Sequence, residues 1–271
     1  MKRIVLFSPG GYIGGFIKAK FEQIREIQLY EVTRDSDLEQ YEGEYDILIY
    51  SAAVSNAKTE KMLQDNVGSA ITMMKFCREH YVKKIIYLSS DSIYGELNTD
   101  IVTEKTIMVN PNVYGVTKYL AEKVILESGI PYYILRMPGV VGKVWRDVFI
   151  CNTISKIKDG EHLKLYNIDK PFNNILDVDD LIAFIMLLCE REDIEDKQIF
   201  LLGNTEIVKL REILSYIKEF FHSESIIYSR DTDQKRYFTL DVTKAVQYGY
   251  ISKEMKNIID ELCRLREREV L

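Results

Sequence analysis

Short runs of consecutive apolar residues alternate with longer segments of helical spacing over the first two thirds of the chain. The apolar runs are continuous, a pattern typical of strands that are buried on both faces of a parallel sheet. They predict strands at residues 4–7, 27–32, 46–50, 84–88 and 132–136. The segments between them predict helices near residues 14–24, 67–80 and 114–128. This alternation predicts an α/β fold with a doubly wound parallel sheet.

After residue 136 the pattern is less regular. It predicts helices at residues 149–158, 178–191, 210–221 and 253–268, and a strand at residues 199–202. Only about a dozen residues, 33–44, separate the second and third strands, which is close to the minimum for a parallel crossover, so we expect no full helix there. We therefore expect a core domain over residues 1–142 and a smaller lobe over residues 143–271, part of which returns to the core.

The composition excludes several classes of protein. The chain of 271 residues has 36 Lys and Arg against 42 Asp and Glu, a net charge of −6 and no basic cluster, which argues against a nucleic-acid partner. The longest apolar run, residues 181–189, is about half the length of a membrane span, so we expect no membrane partner. The first apolar run is too short for a signal-peptide core, and the four widely spaced cysteines argue against a disulfide framework or a metal site. We expect a soluble, cytoplasmic protein.

A glycine-rich turn follows the first predicted strand. It reads Ser8-Pro9-Gly10-Gly11-Tyr12-Ile13-Gly14 and leads directly into a predicted helix. Backbone amides at such a helix start can approach a pyrophosphate, where the helix dipole favours negative charge. Gly11 would allow the close approach, and Gly14 would let the helix pack tightly on the strand. A plain strand-to-helix turn is the alternative, but the position at the first strand favours dinucleotide binding.

Two side chains near the end of the second predicted strand bear on the choice of dinucleotide. A carboxylate at this place would bind the adenosine ribose hydroxyls of NAD, whereas an arginine suits the 2′-phosphate of NADP. Glu31 therefore favours NAD, and Arg34 favours NADP.

A tyrosine–lysine pair supplies the candidate chemistry. Three Tyr-x-x-x-Lys pairs occur, Tyr114/Lys118, Tyr119/Lys123 and Tyr166/Lys170. Only Tyr114 follows a turn that would deliver a helix start to the carboxyl edge of the sheet, where ligands of open α/β folds bind. The Lys118 ammonium would lower the pKa of the Tyr114 phenol toward the working range. The segment Ser89-Ser90-Asp91-Ser92, after the fourth predicted strand, would supply a hydroxyl to hold the substrate oxygen beside the phenol.

These motifs resemble those of the extended short-chain dehydrogenase/reductase superfamily, within it the NAD-dependent epimerase/dehydratase family. Residues 8–14 are similar to its GxxGxxG turn, with Ser8 in place of the first glycine, and residues 90–95 resemble its S/T-x-x-x-Y-G segment. Residues 46–53, 66–69 and 136–142 are similar to its DVVIHLAA, NVxGT and RxxNVYG segments. The resemblance covers nearly the whole chain. It implies a Rossmann-type fold with a small C-terminal substrate lobe, and Ser90, Tyr114 and Lys118 as catalytic residues.

The resemblance also implies which residues bind the cofactor. They are Ser8, Gly10, Gly11, Tyr12, Ile13, Gly14, Glu31, Arg34, Ser51, Ala52, Ala53, Asn66, Tyr114, Lys118, Met137, Pro138 and Val140. Thr33-Arg34-Asp35 resembles the segment by which GDP-fucose synthases hold NADPH. This favours NADP(H) as the cofactor, with NAD(H) as the alternative.

Members of the family act mostly on nucleotide-activated sugars, as 4-epimerases, 4,6-dehydratases and 4-ketoreductases. The resemblance therefore implies NAD(P)H-dependent reduction of a keto group, at C4, on a nucleotide sugar. An NAD-dependent 4-epimerase uses the same residues and is the first alternative; a non-catalytic dinucleotide sensor is the second. Asp91, Ser92, Asn152 and Arg236 are the candidate substrate-binding residues.

Two further expectations concern assembly and the extent of the reaction. The predicted helices at residues 67–80 and 114–128 carry apolar residues on more than one face, which favours a homodimer through paired helices; cover by the C-terminal lobe is the alternative. The resembling 4,6-dehydratases have Asp and Glu after the catalytic Ser/Thr, where this chain has Asp91 and Ser92. We therefore expect no change at the carbons beside C4, unless Asp91 serves as a base.

Overall fold

The computed structural model describes residues 1–97, 99–193, 195–232 and 237–268. The strands are β1 Lys2–Phe7, β2 Ile27–Val32, β3 Tyr45–Tyr50, β4 Val82–Ser90, β5 Ile101–Val102, β6 Tyr132–Met137, β7 Val140–Val141, β8 Leu163–Tyr166, β9 Pro171–Phe172, β10 Leu176–Asp177, β11 Lys197–Leu201, β12 Val208–Lys209, β13 Ile227–Arg230 and β14 Thr239–Leu240. The α-helices are α1 Tyr12–Phe21, α2 Thr59–Met62, α3 Ser69–Glu79, α4 Val113–Leu126, α5 Phe149–Lys158, α6 Val178–Glu190, α7 Leu210–Phe220, α8 Thr243–Gln247 and α9 Met255–Arg268. Short 3-10 turns cover Leu38–Gln40 and Asp91–Tyr94, and a π-helical turn, Leu63–Gly68, joins α2 to α3.

Within the described residues, a six-stranded sheet has the order β2–β1–β3–β4–β6–β11. The pairings of β1 with β2 and β3, and of β4 with β3 and β6, are parallel. The chain moves outward from β1 to β2 and then returns to the other side of β1 with β3, so the strand order reverses at this point. Ligands of open α/β sheets bind at the carboxyl ends of the strands beside such a reversal. The architecture confirms the predicted doubly wound α/β fold of the Rossmann type.

The strands of this sheet are buried because helices cover them. All six side chains of β3 except that of Asp46 are buried, as expected for a strand without a solvent-facing side. On one face the buried residues of α3 and α4 pack against the sheet in a single apolar cluster, which includes Met73, Phe76, Ala121 and Ile125. This packing fixes the orientation of α4 relative to the strand ends.

The predicted elements occur with bounds that differ by a few residues. The predicted helix at residues 149–158 coincides with α5, whereas the predicted strand at residues 84–88 extends over the whole of β4. The structure adds several two-residue strands in the second half of the chain. Such short strands carry no periodicity, so the hydrophobic pattern does not reveal them.

The crossover between β2 and β3 has no α-helix, as predicted, and contains only the 3-10 turn Leu38–Gln40. Arg3 on β1 binds the backbone of this loop, which has no helix to order it. Its guanidinium donates hydrogen bonds of 2.7 and 2.8 Å to the carbonyl oxygens of Glu42 and Glu44. It also lies 4.5 Å from the ring centroid of Tyr45, so one charged side chain satisfies the loop backbone and covers an aromatic residue.

The chain divides into two compact units. Unit 1 comprises residues 1–96, 107–137 and 182–200, and unit 2 comprises residues 97–106, 138–181 and 201–271. Unit 2 has its own apolar core, in which Ile154 of α5, Leu214 of α7 and Ile258 of α9 are buried. The division into a dinucleotide-binding domain over residues 1–142 and a substrate lobe over residues 143–271 concerns function and stays a prediction.

The structure bears on the expectations about membrane spans, cysteines and metal sites. No helix in the described ranges has the length and the apolar composition needed to cross a bilayer. All four cysteines are buried free thiols, and burial raises the pKa of Cys77 to about 12. Across the described part of the chain, no group of His, Cys, Asp and Glu side chains is arranged to hold a metal ion.

Candidate active site

The glycine-rich turn connects β1 to α1. Ser8 adopts a left-handed backbone conformation, with a φ of 67°, a region that favours glycine. Its amide donates a hydrogen bond of 2.9 Å to the carbonyl oxygen of Val32, and its carbonyl oxygen accepts one of 3.2 Å from Gly11. Ser8 thus takes the turn conformation itself, in the place of the first glycine of the motif.

The space around α1 explains the remaining glycines. A Cβ atom added to Gly14 would lie 2.1 Å from the carbonyl oxygen of Ser8 and 2.9 Å from Oγ of Ser51, so only glycine lets α1 start this close to the strands. A Cβ atom on Gly10 would meet nothing within 4 Å. Gly11 is the N-cap of α1, and no side chain caps the helix. Gly11 has no side chain that could accept hydrogen bonds from the first turn of α1, and such a helix start suits an anionic group such as a pyrophosphate.

The end of β2 carries the two side chains that bear on the dinucleotide. Glu31 forms an ion pair with Lys18 of α1, at 2.8 Å between Oε1 and Nζ. Arg34 is 68% exposed, and its Nη2 lies 3.2 Å from Oδ2 of Asp65, which also pairs with Lys61 at 2.8 Å. Hydrogen bonding to Lys61, together with the charge of Arg34, lowers the pKa of Asp65. Glu31 and Arg34 therefore both have protein partners, and both remain partly accessible.

Residues 51–53 follow β3 at the same edge of the sheet. The hydroxyl of Ser51 donates a hydrogen bond of 2.8 Å to the carbonyl oxygen of Phe7, which ties the end of β3 to the end of β1. Ala52 is half-buried and Ala53 is exposed. Tyr12 and Ile13, at the start of α1, are half-buried. These small or partly exposed residues lie at the carboxyl edge of the sheet, and their roles in cofactor binding stay predictions.

Asn66 is buried and links two parts of unit 1. Its side chain exchanges hydrogen bonds of 2.7 and 2.9 Å with the backbone of Val54 and donates one of 2.9 Å to Oγ1 of Thr117 on α4. Thr117 in turn donates to the carbonyl oxygen of Tyr114 at 2.8 Å. Both amide hydrogens of Asn66 are thus used to hold the loop after β3 against the helix that carries Tyr114.

Ser90 ends β4 and caps the 3-10 turn Asp91–Tyr94. Its hydroxyl accepts a hydrogen bond of 3.1 Å from the amide of Ser92 and lies 3.1 Å from the hydroxyl of Ser92. It also lies 3.3 Å from Oδ1 of Asp91. Burial raises the pKa of the Asp91 carboxyl to about 6, against the hydrogen bonds it accepts from the Ser90 hydroxyl and the Ser92 amide. The turn therefore gathers two hydroxyls and one carboxyl group at the carboxyl end of the sheet.

Tyr114 is the second residue of α4, and the start of this helix packs on the Ser90 turn. Asn112 caps the helix, with its Oδ1 accepting a hydrogen bond of 2.8 Å from the amide of Gly115. A Cβ atom on Gly115 would lie 2.2 Å from the carbonyl oxygen of Ser92. The glycine beside Tyr114 is thus what permits this close approach between the tyrosine and the serine turn.

Lys118, one helical turn after Tyr114, is buried. Its Nζ donates a hydrogen bond of 2.6 Å to the carbonyl oxygen of Leu88 and lies 4.3 Å from the ring centroid of Tyr87. Burial lowers the pKa of the Lys118 ammonium to about 7, and the nearby carboxylate of Glu122 partly opposes this shift. The charge of Lys118 is therefore poised to change in the neutral range, one turn from the phenol.

A buried ion pair beneath these residues escaped the sequence analysis. Glu122 on α4 pairs with Arg136 on β6 at 2.8 Å, and the hydroxyl of Ser89 donates a hydrogen bond of 2.5 Å to the same carboxylate. Glu122 lies four residues after Lys118, so helical spacing could have placed it on the face of Tyr114 and Lys118. Its partner Arg136 begins the segment that is similar to RxxNVYG, but no pattern in the sequence paired it with Glu122.

The other predicted residues lie after the Ser90 and Tyr114 segments. Met137, at the end of β6 in unit 1, is buried. In unit 2, Pro138 and Val140 are buried, and Val140 belongs to β7, which pairs with β10. Asn152 is exposed on α5 and donates a hydrogen bond of 2.7 Å to Asp147. Arg236 lies outside the described residues.

The chain is similar in sequence to several curated proteins and in fold to several solved structures. UDP-glucose 4-epimerase of Caenorhabditis elegans is 30% identical over 95 residues, which cover 32% of this chain and 27% of that protein. The chain spans 27% to 39% of the length of the first curated relatives that it matches. Among solved structures, MoeE5 in complex with UDP-glucose and NAD has a TM-score of 0.79 at 18% identity, covering 99% of this chain and 100% of that one. RMD from Pseudomonas aeruginosa complexed with NADPH has a TM-score of 0.80 at 18% identity, with the same coverage.

The family match is longer than the match to the Caenorhabditis elegans relative. The model of the NAD dependent epimerase/dehydratase family matches residues 17–203, which include the Ser90 turn and the Tyr114–Lys118 pair and begin just after the glycine-rich turn. The match covers more than half of the chain. The chain therefore belongs to the NAD dependent epimerase/dehydratase family.

Proposed function

We propose that the protein transfers a hydride between a nicotinamide dinucleotide and C4 of a nucleotide-activated sugar, with Tyr114 as the acid–base group. The observation that carries the proposal is the packing of the start of α4 on the Ser90 turn, which Gly115 permits by its close approach to Ser92. This packing brings the two segments that hold Ser90 and Tyr114 together at the carboxyl edge of the sheet. Lys118 lies one turn further along the same helix face.

The residues of unit 1 fit a bound dinucleotide. The uncapped start of α1 and the open space beside Gly10 suit a pyrophosphate, and Glu31 and Arg34 stand where the adenosine ribose would bind. A bound nicotinamide supplies or accepts the hydride. The chain matches curated relatives that are named for UDP-sugars, which supports a nucleotide-activated sugar as the substrate class.

Each catalytic side chain has a definite task in this proposal. When the alcohol is oxidised, the Tyr114 phenolate takes the proton of the C4 hydroxyl while the hydride leaves C4; in reduction, the phenol returns a proton to the keto oxygen as the hydride arrives. The Ser90 hydroxyl holds that oxygen by a hydrogen bond. The Lys118 ammonium stabilises the phenolate by its charge.

Two overall reactions use this step. The curated relatives include several 4-epimerases, which supports 4-epimerisation, in which the hydride leaves one face of C4 and returns to the other without net oxidation. Net reduction of a 4-keto sugar by NADPH is the second candidate, supported by the exposed Arg34 at the end of β2, a suitable partner for a 2′-phosphate.

One set of assays tests the function and separates the two reactions. UDP-glucose with NAD⁺ is analysed for UDP-galactose, and UDP-, dTDP-, GDP- and CDP-linked 4-keto sugars are followed by the loss of NADPH absorbance. We expect Tyr114→Phe to abolish turnover while NADH and NADPH still bind. Tyr119→Phe, in the second Tyr-x-x-x-Lys pair on α4, is the matched control and should retain turnover. Turnover that survives in Tyr114→Phe would refute the catalytic assignment. If the native protein binds a dinucleotide but turns over no substrate of the panel, it is a sensor.

We also propose that the protein is a homodimer through α3 and α4. Leu63, Ile71 and Leu120 on and beside these helices are 41%, 54% and 38% exposed, although other residues of the same helices cover the sheet. A second copy would bury this apolar strip. A monomer mass by light scattering at micromolar concentration would rule the dimer out. The cytoplasmic location stays a prediction.

A further inference from the structure

The ion pair between Glu122 and Arg136 lies in the interior of unit 1. Their side chains are 0% and 4% exposed, and Arg136 donates hydrogen bonds of 3.1 and 2.8 Å from Nε and Nη2 to the two carboxylate oxygens. A buried ion pair contributes little to stability over an apolar pair of the same volume, because both charges must lose their hydration. Stability alone therefore does not explain this pair.

The pair is connected to both ends of the turn that carries Ser90. At one end, Ser89 donates its hydroxyl to Glu122 at 2.5 Å, directly before Ser90 in the chain. At the other end, Nη1 of Arg136 donates a hydrogen bond of 3.0 Å to the hydroxyl oxygen of Tyr94. The turn Asp91–Tyr94 is thus held between two bonds to the same ion pair.

The pair is also connected to the helix that carries Tyr114. Lys118 and Glu122 are one turn apart on α4 and bind consecutive residues of β4, Leu88 through its carbonyl oxygen and Ser89 through its hydroxyl. These two contacts set the position of α4 along β4. Since Ser90 is the next residue of the strand, they also set its position relative to Tyr114.

Charge adds a second connection to Lys118. Glu122 acts on Lys118 by its charge, and the ring of Tyr87 on β4 beneath Lys118 is near Tyr50 on β3, Tyr114 and Glu122. Glu122 is the carboxylate among them, and its charge raises the pKa of Lys118 against the effect of burial. Arg136, on β6, balances the charge of that carboxylate.

We propose that Glu122 and Arg136 are positioning residues, whose ion pair aligns the Ser90 turn with Tyr114. The carboxylate of Glu122 also favours the charged form of Lys118. This inference rests on the proposed function, because it assigns the alignment to the reaction of Ser90, Tyr114 and Lys118. Neither residue touches the reacting atoms.

Three variants test the inference. Glu122→Gln keeps the shape but removes the charge. Glu122→Met combined with Arg136→Met removes both charges and leaves none unpaired, so a purely structural role predicts recovery of all properties. Tyr133→Phe is the control, because it removes a hydrogen bond to the buried Lys84 between the same two strands, β4 and β6, at the opposite end of the sheet.

Two readouts are used, one of which needs no substrate. The first is the ¹⁵N shift of the Lys118 side chain during a pH titration of lysine-labelled protein, with Lys118→Met to assign the signal. The second is kcat and KM on whichever nucleotide sugar of the panel is turned over. Thermal unfolding and NADH binding show that each variant is folded.

We expect Glu122→Gln and the double Met variant to be folded and to bind NADH, with kcat reduced by roughly a hundredfold and little change in KM. In both, Lys118 should lose its proton at a lower pH, and Tyr133→Phe should behave as the native protein. Native kcat and native Lys118 titration in either variant would overturn the inference. If instead Tyr114→Phe leaves turnover unchanged, the proposed function fails, and the Lys118 titration still decides whether Glu122 controls that charge.

Discussion

Gly115 lies directly against the carbonyl group of Ser92, so close that a Cβ atom on the glycine would be 2.2 Å from the carbonyl oxygen. Two segments that are far apart in the chain, the Ser90 turn and the start of α4, meet at this contact. The residue next to the proposed catalytic tyrosine thus sets how near the serine turn can come. Several predictions about the site depend on such close approaches.

Replacing Gly115 with alanine should separate Tyr114 from the Ser90 turn. We expect kcat to fall by roughly a hundredfold, because small misplacements of reacting groups have large effects on rate. We also expect a lower melting temperature. Gly68→Ala is the control, since Gly68 has a helical φ of −59° and an added Cβ atom would meet nothing within 4 Å. Equal behaviour of the two variants would show that the Gly115 contact does not align the site.

Replacing Gly14 with alanine should prevent dinucleotide binding. The added Cβ atom would lie 2.1 Å from the carbonyl oxygen of Ser8, so the turn and the start of α1 must move apart. Fluorescence titration with NADH and NADPH measures the loss. In Gly15→Ala the added Cβ atom would meet Pro9 at an ordinary 3.6 Å, and the helix should gain about 1 kcal/mol in propensity. Binding by Gly14→Ala that matches Gly15→Ala would exclude the turn as the pyrophosphate site.

Replacing Arg34 with alanine should weaken the binding of NADPH by roughly ten- to a hundredfold and leave the binding of NADH nearly unchanged. The reason is that a contact to the 2′-phosphate is charge-assisted. Lys61→Ala removes the other cation that pairs with Asp65 and serves as the control. Isothermal titration of each protein with both dinucleotides gives the comparison. Equal losses for NADH and NADPH would mean that Arg34 does not contact the phosphate, and Glu31 would then favour NAD.

The pH dependence of stability should reveal the buried ammonium of Lys118. Burial lowers its pKa from 10.5 to about 7 in the folded protein. Between these values the unfolded chain binds more protons than the folded one, so this group makes stability rise with pH through that window. Lys118→Met should remove that rise. Chemical denaturation of both proteins across this range measures it, and parallel curves would contradict a buried, shifted Lys118.

The carbons beside C4 should remain unchanged in the reaction. Exchange at such a carbon needs a base, and the residue after Asp91 is a serine, which is a weak base. Asp91 is the side chain that could act as such a base, because its pKa of about 6 leaves it ionised at neutral pH. Turnover in deuterated water, analysed by mass spectrometry, decides between the two. Deuterium at the carbons flanking C4 that disappears in Asp91→Asn would identify Asp91 as the base.

The sequence by itself determined the class of fold and the main motifs. Continuous apolar runs indicate strands that have no solvent-facing side, so a parallel sheet between helices follows from the pattern alone. The turn from Ser8 to Gly14 and the Tyr114–Lys118 pair were also visible, because local spacing carries their chemistry. The short crossover after β2 followed from its length.

Only the tertiary structure decided how these motifs are held together. Glu122 and Arg136 lie on different elements, and their pairing depends on the register of β4 and β6 and on the packing of α4 over them. The sequence predicted the tight packing at Gly14 but assigned no such role to Gly115, whereas the structure shows that the carbonyl group of Ser92 fills the space where a side chain of residue 115 would be. Local patterns encode which elements form, but contacts between distant residues arise only when those elements pack. The packing of Gly115 against Ser92 is such a contact.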